Sequence, residues 1–235
     1  MMRRLLVCTV MALAFSFVPI VLAQWQEKPY REWSEKEARG ILDNSAWAQT
    51  QTITDTSHMF DTGRAVASNE RREVELPETK FHIRMFSAKP VRQATSRLVE
   101  IQQKGEINKQ LAAQLQGLAN ADFPDYIIVT VTLEVAKSGC QMGAAASLLD
   151  RQTTAQLKTD TFLSLKGKRL FLAEYQPPRP DGLGARFVFP RLVDGKPFIS
   201  EADGELLFHS SLNSGPELST RFKIKDMMFN GKLEY

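Results

Sequence analysis

The stretch DYIIVTVTLEV, Asp125 to Val135, decides the fold. Ile127, Val129, Val131, Leu133 and Val135 fall on one side and Thr130, Thr132 and Glu134 on the other, which is the period of two of a strand with one face in a core. Upstream, Phe81 to Ala88 alternates in the same way, with Phe81, Ile83 and Met85 opposite His82 and Arg84. Pro90 then opens a helical stretch in which Val91, Ala94, Leu98 and Ile101 share a face. The next apolar set, Ile107, Leu111, Leu115 and Leu118, is out of phase with it across Lys104-Gly105, so a kink or a break into two helices falls there. Strand, helix and strand in this order suggest a crossover unit and leave parallel pairing open.

Outward from this centre the chain divides into a helical beginning and a β-rich end. Ser34 followed by Glu37 is a capping box, and Ala38, Ile41 and Leu42 give one apolar face, which predicts a helix from Glu35 to Asp43. Trp33 and Trp47 on either side read as packing anchors, with an exposed aromatic site as the alternative. Asp55 to Glu78 is polar, without period, and reads as a long loop that contains Arg71-Arg72. The run from Ala144 to Leu157 has helical composition. Beyond it come short strands: Phe162 to Leu165 and Arg169 to Tyr175 flank Lys166-Gly167-Lys168, and Asp194-Gly195, Asp203-Gly204 and Asn230-Gly231 mark further turns. Pro177 to Gly184 is a surface loop. The expected fold is α+β, with helices packed on a mainly antiparallel sheet and a β-rich C-terminal half. Residues 24–235 form a single domain, and a split near Lys158 is the alternative.

The first 23 residues stand apart. Arg3 and Arg4 precede an apolar run from Leu5 to Leu22, and Val21-Leu22-Ala23 places small or aliphatic residues ahead of Gln24. This is the pattern of a secretory signal cleaved between Ala23 and Gln24, and it predicts a secreted or periplasmic protein; an uncleaved anchor is the rival reading. Removing Arg3 and Arg4 from 30 Lys and Arg leaves 28 bases against 27 acids, a formal charge of +1. That balance argues against a nucleic-acid partner. Cleavage also removes Cys8 and leaves Cys140 alone, so an intrachain disulfide is excluded. No transmembrane segment is expected after cleavage.

Three stretches carry a resemblance. KPYREWSEKEARGILDNSAWAQT (Lys28 to Thr50), FSAKPVRQATSR (Phe86 to Arg97) and FKIKDMMFNGKLEY (Phe222 to Tyr235) resemble an uncharacterised family of predicted secreted proteins from Acidobacteria. The resemblance implies secretion and a shared fold, and it carries no activity or site residues.

No motif for catalysis or a cofactor stands out. His58, His82 and His209 have no spacing that would place two on one helix turn, and there is no G-x-S-x-G. Cys140 reads as a small buried thiol, an interchain disulfide partner or, between Gly139 and Gly143, a nucleophile without a neighbouring base. Glu201, Asp203 and Glu205 alternate as in a calcium loop but fit a solvated hairpin at Asp203-Gly204. Ser87, Lys89 and Arg92 lie where a strand meets a helix start, a place for an anion. Arg221, Lys223 and Lys225 put three positive charges on one strand face, facing an acidic glycan or membrane or guarding an edge strand. The resulting expectation is a non-enzymatic binding or structural module of the cell envelope that meets an envelope partner or a small ligand. The alternatives are an exported hydrolase with dispersed residues and a carrier of an apolar ligand.

Overall fold

The computed structural model describes residues 25–54, 78–103, 107–135 and 147–235. Helix α1 (Glu35–Asp43) starts at Ser34, whose hydroxyl accepts from the Glu37 N–H while the Glu37 carboxylate accepts from the Ser34 N–H, so the capping box forms as read. The chain continues through β1 (Ala48–Thr54), β2 (Glu78–Met85), α2 (Lys89–Gln102), α3 (Lys109–Asn120) and β3 (Tyr126–Val135). Trp33 and Trp47 are fully buried, and Trp25 meets both edge-on while stacking on Phe229 at 5.8 Å. They are packing anchors.

β2 and β3 are antiparallel neighbours, with Ile83 opposite Val131, so the crossover reading is corrected. One helix between two strands would return the chain to its starting end and make them parallel; two helices reverse it once more. Ser96 donates to the Leu115 carbonyl at 3.0 Å and Arg92 to that of Ala121 at 2.6 Å, so α2 and α3 run antiparallel. The chain therefore re-enters the sheet at the end it left. The single helix expected over Ala144 to Leu157 is also corrected. Residues 147–150 are helical and α4 (Thr154–Leu157) starts afresh at its own capping box on Thr153. Gln152 at the join spends its amide on the Leu148 and Asn213 carbonyls and the Asn213 N–H.

The second half supplies β4 (Thr161–Leu165), β5 (Lys168–Phe171), β6 (Glu174–Gln176), β7 (Ala185–Pro190), β8 (Leu192–Val193), β9 (Lys196–Pro197), β10 (Glu205–Ser211), β11 (Glu217–Lys223), β12 (Met228–Phe229) and β13 (Lys232–Leu233). A first sheet has the order β1-β2-β3-β7-β6 and a second β11-β10-β4-β5, with every pairing antiparallel. The strand expected over Arg169 to Tyr175 is two strands in different sheets. Leu172 donates to Thr161 of the second sheet and Ala173 to Val188 of the first, so the chain changes layer between them. Turns at Lys166-Gly167, Asp194-Gly195 and Asn230-Gly231 take positive φ at both positions and close two-residue hairpins as expected.

The first sheet buries Phe81, Ile83, Met85, Ile127, Val129, Val131, Phe187 and Phe189 on one face. Phe208 of β10 fits between the last two, its ring 5.4 Å from Phe187 and 6.4 Å from Phe189. The two sheets thus share one core, which also takes in Leu163, Leu206, Leu218 and Phe222. α1 and α2 cover the opposite face of the first sheet. The second sheet turns its other face outward.

Candidate functional site

The helix start singled out for an anion is used inside the molecule. The Lys89 N–H, at the positive end of α2, donates to the Glu234 carboxylate at 3.1 Å. Ser87 accepts from the Ile128 N–H at 3.0 Å, which ties the turn to β3. Arg92 is 3% exposed and directs its guanidinium to the carbonyls of Ser87 and Ala121, and burial pushes its pKa below the usual guanidinium value. The carboxylate at this helix start belongs to the chain itself and is held by the Lys89 N–H, while Ser87 and Arg92 serve backbone groups.

The helix-facing side of the first sheet is polar. Arg84 donates to the Leu42 carbonyl at 2.6 Å, to the Thr132 hydroxyl at 2.7 Å and to Asp43 at 3.2 Å. With Thr50 donating to the Asp43 carbonyl and Ser45 to that of Ile41, these contacts satisfy the carbonyls at the end of α1. His82 stands beside them, Nδ1 3.0 Å from the Thr50 hydroxyl and 3.5 Å from Asp43, Nε2 3.3 Å from Glu134. A threonine hydroxyl and two carboxylates flank the ring, which ties β1, β2, β3 and the end of α1 together. A cleft of about 280 Å³ lies between this face and α2, lined by Arg84, Thr95, Leu98, Thr130 and Thr132. Next to it a cleft of about 500 Å³ opens under the Pro177 to Gly184 loop, with Leu133, Val135, Leu149 and Pro178 on its walls.

The outward face of the second sheet is built differently. Register places Arg221, Leu207, Ser164 and Arg169 in one row across β11, β10, β4 and β5, and Ser219, His209, Phe162 and Phe171 in the next. Phe162 is only 8% exposed although it lies on the outer side, because Arg169 lies over its ring at 4.4 Å and His209 stacks on it at 4.7 Å. Phe171 meets it edge-on at 6.0 Å and is itself 45% exposed. His209 contacts Glu217 at 3.3 Å. Among the described residues neither Arg169 nor Arg221 has a carboxylate within ion-pair distance. The result is a sheet face with a stacked aromatic centre and two arginines that keep their donors.

Sequence reasoning reached this face only through its basic residues. β11 carries Arg221 and Lys223, whereas Lys225 falls in the 3-10 turn Ile224–Asp226 and leaves the strand, a correction to the three-charge face. Phe162 and Phe171 were passed over, yet Phe162-Leu163 next to each other in a strand signals apolar residues on both faces. The Asp203-Gly204 hairpin is corrected as well: Asp203 accepts from the Ser200 N–H and hydroxyl and pairs with Lys166, all at 2.8 Å, closing a bend before β10. The Lys166 ammonium is the first cause that holds its carboxyl below the usual range. Among the described residues no cluster of His, Cys, Asp and Glu could hold a metal ion, and no helix is long and apolar enough to cross a membrane. Cys140, His58, Arg71-Arg72, the signal-like segment and all of the polar loop except Glu78, which begins β2, lie outside the described residues. Set against models of known protein families, curated proteins and solved structures, the chain matches none.

Proposed function

We propose that the chain is an exported, non-catalytic binding module of the cell envelope and that the outward face of the second sheet is its binding surface. The observation that carries this is the row Arg221, Leu207, Ser164 and Arg169 beside the exposed Phe171, aromatic and cationic on one face of an antiparallel sheet. Arginine and aromatic side chains are those most enriched where binding energy concentrates. The signal-like N-terminus and the resemblance to secreted acidobacterial proteins support export, and membership of that family belongs to the same proposal.

A second reading rests on the cleft of about 500 Å³ under the Pro177 to Gly184 loop, whose apolar walls suit a carrier of a small apolar ligand. The space between the sheets is occupied by Phe187, Phe189 and Phe208, so a carrier would use this open cleft. Nuclear magnetic resonance titration of the purified protein with envelope polysaccharides and with fatty acids separates the two. Shifts confined to β4, β5, β10 and β11 support the sheet face. Shifts around Leu133, Leu149 and Pro178 alone replace it with the carrier reading. Fractionation and N-terminal sequencing of the native protein test export, with a chain beginning at Gln24 expected outside the inner membrane.

A further inference from the structure

Resting on that reading, we infer that the ligand of the second sheet's outward face is an anionic polysaccharide lying across the strands. Arg221 and Arg169 sit at the two ends of one row, three strand spacings apart, which is about 14 Å at ~4.8 Å per strand. A cation at each end and a neutral middle of Leu207 and Ser164 match a chain that carries acids at intervals, with apolar ring faces and hydroxyls between them. Arg169 is held by its face-on contact with Phe162, and no hydrogen bond or ion pair among the described residues draws on its donors. Its planar fork is therefore oriented by the aromatic and free to grip a carboxylate or sulfate with two parallel hydrogen bonds. Phe171, beside it on the same strand, offers an exposed ring whose negative face attracts the C–H face of a sugar.

Other occupants fit less well. Glu205, opposite Lys223, and Glu217, beside His209, put two carboxylates at the rim of the face, which a nucleic acid with a charge at every phosphate would meet. A second copy whose two-fold axis passed through the row would set arginine row against arginine row, with carboxylates only at the rim. A lipid surface is reached by several protruding apolar residues, whereas among the described residues Phe171 is the one large apolar side chain that is exposed on this face.

The test is affinity electrophoresis of the purified protein through gels containing polygalacturonate, alginate or hyaluronate, with fully methyl-esterified polygalacturonate as a matched polymer whose acids are masked. Retardation by the acidic polymers, weakened by salt and absent with the ester, is expected. Arg169→Gln and Arg221→Gln should each weaken it at least tenfold and Phe171→Ala comparably, with unchanged circular dichroism melts, while Lys232→Gln on β13 leaves it intact. Equal retardation by the ester overturns the anionic ligand and keeps the binding face. Preference for single-stranded DNA or anionic vesicles over all the polysaccharides overturns the polysaccharide assignment. Binding that ignores all three face variants, or no retardation by any polymer, overturns the face itself.

Discussion

Glu37 shows how much one side chain at a helix start can do. Its carboxylate accepts from the Ser34 N–H and hydroxyl and pairs with Lys28, and these contacts, the Ser34 backbone bond first, lower its pKa from 4.5 to about 2. A depressed carboxylate contributes stability that is fully present above 4.5 and is lost as pH falls through about 2. Glu37→Gln keeps a hydrogen-bonding oxygen and removes the charge. The wild type should be the more stable at pH 7, and the gap should close between pH 4.5 and about 2 in urea titrations. Gly184 is constrained by space and not by charge. Its φ is +78°, and a Cβ there would stand 2.3 Å from the Val131 carbonyl oxygen, so the loop that roofs the larger cleft approaches β3 where only glycine fits. Gly184→Ala should cost about 1–3 kcal/mol or more in chemical denaturation, and it should reshape that cleft while leaving the outward sheet face unchanged.

At the scale of elements, the decisive contacts join pieces distant in the chain. α2 begins without a side-chain cap of its own, and the Glu234 carboxylate fills that role while the Glu234 carbonyl accepts from the Trp47 indole at 2.8 Å. Arg191 adds a bond to the Tyr235 carbonyl and lies over the Tyr235 ring at 4.2 Å. Glu234→Ala removes a cap and a favourable charge at the helix start, and should lower stability by about 1 kcal/mol as read by the denaturation midpoint. One side chain bridges edges of the two sheets: the Gln51 amide of β1 donates to the Glu217 carbonyl and accepts from the Ser219 N–H of β11. It completes the free edge of β11 as a neighbouring strand would.

Over the whole molecule, Phe208 holds the layers together. Its ring contacts Phe187 and Phe189 across the space between the sheets, and both halves of the chain contribute to the same core. Phe208→Ala should cost about 3–5 kcal/mol. Fluorescence of the tryptophans, which lie in the first part of the chain, and far-ultraviolet circular dichroism should then shift together in one transition. Two separate transitions would show that the halves fold independently. The same architecture leaves the outer side of the second sheet open. Its inner side packs on the first sheet, and among the described residues no helix covers its outer side.

The residues of this chain settle by themselves whatever depends on near neighbours. The capping box at Ser34 and Glu37 sets the start of α1, and the alternation in Asp125 to Val135 turns Ile127, Val129 and Val131 to the core between the sheets, although Thr130 on the other side is buried as well. Turn chemistry at Asn230-Gly231 closes β12 onto β13. These follow from local torsions, hydrogen bonds within a few residues and the period of apolar side chains. Tertiary structure alone decided that β2 and β3 run antiparallel, that Leu172 and Ala173 belong to different sheets, and that Glu234 occupies the start of α2. It also brought Arg169, Phe162, His209 and Arg221 onto one surface by pairing two hairpins, β4-β5 and β10-β11. Each of these depends on packing between layers and on partners tens to more than a hundred residues apart, for which periodicity and spacing along the chain contain no term.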